Sequence, residues 1–263
     1  IGLVSIKIFQ KYKNAIMGVF PADHLIVGHK KFEKSLDNAY RMVKKQNNLV
    51  TIGIKPTYPS TAYGYIQYEP NSESNKVGYH VKTFAEKPHE KLAKRFLKSG
   101  DFLWNAGIFI WQVDTLLSSL NNHMPELYDS LFKIKSCLDK SNNFEDIWNN
   151  ITPTSIDYGL MEKSNNIFVV PAEFEWNDLG SWDALHKFFS KKEGENIIRG
   201  FGNVMDGKNN LIQSNDRFTA IIGLDDIVVV NTEDATLVVK KDMVERVKEL
   251  VSWLEKKDYK ELI

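Results

Sequence analysis

Residues 15–54 read AIMGVFPADHLIVGHKKFEKSLDNAYRMVKKQNNLVTIGI, and the fold class follows from how the apolar residues are spaced there. Ala15 to Phe20 is a short apolar run closed by Pro21, which suits a buried strand. From Lys30 to Gln46, the residues Phe32, Leu36, Ala39, Tyr40 and Val43 recur at helical spacing and form one apolar face. Leu49 to Ile54 is a second buried strand, ended by Lys55-Pro56. Strand, helix, strand with continuously apolar strands is the pattern of a parallel α/β sheet.

Upstream, Ile1, Val4, Ile6 and Ile8 read as the tail of a helix, although strand-like alternation fits them too. Downstream, alternation across Tyr63 to Phe84 (Val77, Tyr79, Val81, Thr83) predicts antiparallel ribbons laid over the sheet. His89 to Lys98 is a short helix stopped by Gly100, and Ala106 to Trp111 a further buried strand. Residues 114–163 look helical with breaks at Pro125 and Pro153. Asn166 to Val170 is a strand, and Ser181 to Ser190 a helix with Ser181 as its N-cap. After Lys191-Lys192-Glu193-Gly194 the character turns all-β. Asn203 to Met205, Leu211 to Ser214, Phe218 to Leu224, Ile227 to Asn231 and Ala235 to Val239 are short strands, the spacing of a β-meander or β-solenoid. A helix with Met243, Val247, Leu250, Val251 and Leu254 on one face comes last. The reading is an α/β domain over 1–192, with helices on both faces of a Rossmann-like sheet, and a small β domain over 193–263.

Across 263 residues, 34 Lys and Arg balance 34 Asp and Glu. That balance argues against nucleic acid as a partner, since a phosphate-tracking surface needs a basic excess. The 43% hydrophobic and 26% charged content excludes disordered and low-complexity classes. A single cysteine, Cys137, allows neither an internal disulfide nor a thiolate zinc cluster, which points to the cytoplasm. Apolar runs such as Ile227 to Val230 are too short to span a bilayer, so no membrane partner is expected. No signal peptide is visible in Ile1 to Gln10.

Four segments could carry chemistry. In Phe20-Pro21-Ala22-Asp23-His24, a carboxylate follows a buried strand, where α/β sheets bind ligands. One carboxylate there suits Mg²⁺, which fills its shell with phosphate oxygens and water; a turn-capping aspartate is the alternative. Asp178, in Trp176-Asn177-Asp178-Leu179-Gly180, could be a second metal carboxylate or a helix cap. In Phe84-Ala85-Glu86-Lys87-Pro88, Glu86 can accept from sugar hydroxyls and Lys87 can face a phosphate; a solvated strand end is the alternative. Trp104-Asn105-Ala106-Gly107 sets an amide beside a glycine that permits close approach of a ligand, with Trp104 and Phe109 read as core. Ser155-Ile156-Asp157-Tyr158 reads as a capped helix start.

Together these segments resemble the mannose-1-phosphate guanylyltransferases of the sugar-nucleotide pyrophosphorylase family. The matching stretches are FPADHLI (20–26), AYGYI (62–66), FAEKP (84–88), WNAGIF (104–109), SIDYGLMEK (155–163), WNDLGSWDAL (176–185) and GLDDIVVVNTEDATLVV (223–239). The resemblance implies a Mg²⁺-dependent transfer of a guanylyl group from GTP to α-mannose 1-phosphate. It puts metal ligands at Asp23 and Asp178, sugar contacts at Gly64, Glu86, Asn105 and Asp157, and a phosphate-facing, catalytic role at Lys87; it allows a homodimer. Rival readings are a non-catalytic or regulatory relative, and a glucose-1-phosphate nucleotidyltransferase. A glycosyltransferase would want an Asp-x-Asp motif where His24 and Leu25 follow Asp23. Two departures stand out. Ala62 replaces a family glycine, strained if its φ is positive. The family's Gly-rich nucleotide loop has no counterpart from Ile1 onward, so the chain alone is expected to turn over poorly.

Overall fold

Helix α1 (Gly2–Lys11) leads into β1 (Ile16–Val19), followed by β2 (Leu25–Val27), α2 (His29–Gln46) and β3 (Leu49–Ile54) in the computed structural model. The structure describes residues 1–69, 77–180, 186, 189–190 and 192–262. Within it lie two units, Ile1–Trp176 and Asn177–Ile263. All six residues of β3 are buried, as an uninterrupted apolar run requires. Helix α2 buries Ala39, Met42 and Val43, while Tyr40 stays 46% exposed. Met42 therefore fills the core position read for Tyr40, whose ring lies 5.8 Å from Lys44 Nζ. Gly28 starts α2 and Asn47 ends it, both in the left-handed region.

The chain continues through β4 (Tyr65–Tyr68), β5 (Tyr79–Ala85), α3 (Glu90–Ser99), β6 (Phe102–Gln112), α4 (Val113–His123), α5 (Pro125–Asp139) and α6 (Glu145–Asn149). A π-helical turn at Asp157–Met161 precedes β7 (Ile167–Pro171) and β8 (Glu175–Asn177). The six-stranded sheet has the order β1-β6-β3-β7-β5-β4. Only β3 and β7 pair in parallel among its described ladders; β6 runs antiparallel to β1, β3 and β4, and β5 runs antiparallel to β4 and β7. The parallel sheet expected from residues 15–54 is thus mixed. An apolar run reports burial on both faces, not strand direction. β4 and β5 are strands of this sheet rather than ribbons above it.

Alternation on β3 splits the core in two. Leu49 packs with Ile6 of α1, Leu116 and Leu120 of α4 and Leu131 of α5. Val50, Ile52 and Ile54 pack with Ala39 and Val43 of α2 and Ala93 of α3. Helices therefore cover both faces.

In the second unit, β9 (Ile197–Met205), β10 (Leu211–Ile222) and β11 (Ile227–Asn231) pair in parallel, and β12 (Thr236–Lys240) runs antiparallel to β11. Parallel neighbours joined by turns of a few residues make a β-solenoid, not a meander. Leu211 sits in register with Ile197 and Val228, a stacked core. Fully buried Asn210 staples the coil turns. Its Nδ2 donates to Asn196 Oδ1 (3.1 Å) and to the Leu224 carbonyl (2.8 Å), and its Oδ1 accepts from the Ile227 amide (2.8 Å). A 3₁₀ segment (Lys241–Arg246) leads to α7 (Val247–Lys256), whose Leu250 is 44% exposed although read as part of an apolar face. The helix read over Ser181 to Ser190 falls largely outside the described residues. Among the described residues no helix is long and apolar enough to cross a membrane.

Candidate active site

Strand β6 carries two residues more than β3 over the same span. Thr51 pairs with Phe109 and Gly53 with Asn105, so the ladder bulges at Ala106-Gly107-Ile108. Gly107 takes φ +67° there, and a β-carbon on it would lie 3.3 Å from Pro21 Cγ. The bulge turns the Asn105 side chain into a hub. Its Oδ1 accepts from the Gly107 amide and from the Thr51 hydroxyl, each at 3.1 Å, and its Nδ2 donates to Asp157 Oδ1 at 3.0 Å.

Gly64 lies against the same hub, its carbonyl accepting from the Asn105 amide at 2.8 Å. A β-carbon at Gly64 would collide with Glu86 Oε2, so only glycine leaves that carboxylate its place. Neighbouring Ala62 is not in the left-handed region, so its methyl brings no backbone strain; its amide donates to Ser60 Oγ at 3.2 Å. Glu86, at the end of β5, has a side chain only 11% exposed, and Lys87 Nζ stands 3.5 Å from its Oε1. Lys87 itself adopts φ +46°, uncommon for a residue with a side chain and a mark of a constrained turn.

Asp157 opens the π-helical turn, which is anchored by buried Gly159, Leu160 and Met161. The Ser155 hydroxyl accepts from the Tyr158 amide at 3.4 Å, the cap that the sequence suggests. At the other end of the turn, Glu162 Oε1 accepts from the Glu86 amide at 3.1 Å. Burial raises the Glu86 carboxyl above the ordinary carboxylate range; the Asp157 charge adds to this, and Lys87 opposes it. Burial likewise raises Asp157, against hydrogen bonds from its own backbone and from Asn105.

The first unit thus brings Gly64, Glu86, Lys87, Asn105 and Asp157 together. Two members of the cluster are not read as site residues from the sequence. Thr51 is the one hydroxyl in the apolar strand LVTIGI, a signal that could have been used. Glu162 becomes part of the site only through the π-turn. Trp104 and Phe109 are core, 4% and 3% exposed.

Asp23 occupies the bend between β1 and β2, exposed, with no hydrogen bond or ion pair among the described residues. Its neighbour His24 is fixed, accepting at Nδ1 from Trp176 Nε1 (3.1 Å) with the two rings edge to face. A free carboxylate on an anchored bend fits a hard divalent ion that keeps most of its shell for water and phosphate. Among the described residues no group of three or more His, Cys, Asp or Glu is gathered to hold a metal. In the second unit, Asp178 Oδ1 accepts from the Gly180 amide at 3.1 Å.

Residues 3–195 match the nucleotidyl transferase family, and residues 203–254 match the MannoseP isomerase/GMP-like beta-helix domain. The alginate biosynthesis protein AlgA of Pseudomonas aeruginosa is 32% identical over 262 residues, covering 97% of this chain and 54% of AlgA. A mannose-1-phosphate guanylyltransferase of Escherichia coli is 32% identical over 277 residues, covering 99% of this chain and 58% of the relative. A crystal structure from Thermus thermophilus, described as a mannose-1-phosphate geranyltransferase, aligns with a TM-score of 0.86 at 29% identity, over 96% of this chain and 73% of that one. The chain spans about half the length of the curated relatives it matches. With its α/β unit matched almost end to end, the chain belongs to the nucleotidyl transferase family.

Proposed function

We propose that the chain serves the transfer of a guanylyl group from GTP to α-mannose 1-phosphate, yielding GDP-mannose and pyrophosphate. The observation that carries this is the acid–amide cluster of Glu86, Asn105 and Asp157, packed against Gly64 and flanked by Lys87. Two neighbouring carboxylates, Asp157 held by the Asn105 amide, can take several hydroxyl donors at once, the chemistry of a sugar ring. Lys87 supplies an adjacent positive charge for the sugar's phosphate. The names of the relatives support mannose as the sugar and guanine as the base.

In the reaction, an oxygen of the sugar phosphate attacks the α-phosphorus of GTP, and the bond from that phosphorus to the β-phosphate oxygen breaks. The chain's own part is positional. Glu86 and Asp157 orient the ring, Asn105 keeps Asp157 in place, and Lys87 offsets charge on the nucleophile. Mg²⁺, when bound, supplies charge neutralisation on the phosphates. Asp23 is the carboxylate of the first unit suited to hold it, and Asp178 is proposed as a metal carboxylate on the resemblance alone. Calorimetric titration with α-mannose 1-phosphate and α-glucose 1-phosphate tests the reading. Mannose 1-phosphate is expected to bind more tightly; equal or absent heats for the two sugars remove the assignment.

A further inference from the structure

Glu162 stands outside every role given so far, yet it touches the site at its most constrained point. Its Oε1 accepts the Glu86 main-chain amide at 3.1 Å across 76 positions of sequence. The next residue, Lys87, is the one with φ +46°, and Pro88 after it is buried. Residues five apart diverge by roughly 140° around an α-helix. The π-turn changes that: the Glu162 amide donates to the Asp157 carbonyl at 2.9 Å, the i→i+5 bond that stacks the two residues. Asp157 and Glu162 therefore both reach the Glu86–Lys87 turn, one at the side chain and one at the backbone.

We propose that Glu162 is a positioning residue, which clamps the Glu86–Lys87 turn through the Glu86 amide and presents a third negative charge to the Glu86–Asp157 pair. The clamp explains how an exposed lysine is kept in a left-handed conformation without a glycine. The charge explains part of the raised carboxyls, since Glu162 pushes both Glu86 and Asp157 upward, while Lys87 pulls both the other way.

The inference rests on the sugar-phosphate reading, but two variants and a ligand-free measurement keep the two separable. Glu162→Gln retains an oxygen for the Glu86 amide and loses the charge; Glu162→Ala loses both. Carbon-13 NMR titration of the free protein follows the Glu86 and Asp157 carboxyls directly. Their midpoints are expected to fall toward ordinary carboxylate values in Glu162→Gln. In calorimetry with α-mannose 1-phosphate at neutral pH, Glu162→Gln is expected to keep its affinity. Glu162→Ala is expected to lose about tenfold, the size of a lost charge-assisted hydrogen bond. Unmoved midpoints in Glu162→Gln overturn the electrostatic role. Equal affinity of Glu162→Ala and the parent overturns the clamp. Absent heats in the parent would strike the sugar-phosphate reading, and the NMR titration would still decide the charge.

Discussion

Asn105 makes three side-chain hydrogen bonds that no carboxylate of the same shape can all make. Its oxygen takes the Thr51 hydroxyl and the Gly107 amide, and its nitrogen gives to Asp157. In Asn105→Asp the first two survive, but the third becomes two carboxylate oxygens facing each other where a 3.0 Å bond stood. The expected cost at neutral pH is about 1–3 kcal/mol, the range for a half-buried donor–acceptor pair turned into a conflict. The sign with pH follows from the repulsion. It drives one carboxyl of the pair to hold a proton, so the cost shrinks as pH falls and grows as pH rises. Urea unfolding at pH 5 and pH 8 checks it, and a cost that does not change between them sinks the argument. Asn105 was legible in the sequence as an amide beside a glycine. Its binding to Thr51 and Asp157 was not, because those residues lie 54 and 52 positions away and only the sheet brings them in.

At the scale of elements, the places where the sequence reading stopped short are the irregular ones. It starts the strand at Ala106, whereas β6 begins at Phe102; the reading catches the half from the bulge onward. It also cut β10 into two strands, Leu211 to Ser214 and Phe218 to Leu224, and the ladder is irregular between Ser214 and Thr219. Period-two patterning is lost wherever an extra residue enters a strand, so bulges look like ends. The π-turn is hidden for a similar reason, since one inserted residue in a helix leaves the composition unchanged. The β6 bulge depends on Gly107, because a β-carbon at φ +67° is strained and would press on Pro21. Gly107→Ala is expected to lower stability by about 1–2 kcal/mol. It should also weaken sugar-phosphate binding, since Asn105 Oδ1 accepts from this very amide. A denaturation midpoint equal to that of the parent would show that the bulge tolerates a side chain.

For the molecule as a whole, formal neutrality conceals a local imbalance. Equal numbers of acids and bases set the net charge to zero, yet Glu86, Asp157 and Glu162 gather at one turn, with Lys87 opposing the charge at Glu86 and Asp157. The sequence revealed the layered α/β unit and a small β domain, with meander and solenoid both open, because burial and turn chemistry are local signals. It did not reveal strand direction or this charge imbalance, which depend on long-range pairing between β4, β5, β6 and the π-turn. The imbalance has a consequence for stability. Glu86 and Asp157 hold protons more tightly folded than unfolded, since burial raises both. Between the ordinary carboxylate value and the raised folded values, the folded state binds more protons, so unfolding free energy falls as pH rises through that window and levels off above it. Replacing Asp157 by Asn removes one of the charges and leaves an oxygen for Asn105 Nδ2. Asp157→Asn is therefore expected to be slightly more stable than the parent at neutral pH, by less than roughly 1 kcal/mol for a partly screened group. The gain should vanish below about pH 4, where both states of the parent are protonated. The same variant should lose affinity for α-mannose 1-phosphate, the usual opposition between a functional site and stability. Chemical denaturation from pH 4 to pH 8 decides the matter: a variant less stable than the parent at neutral pH would mean that Asp157 stabilises the fold, and the charge argument would fail.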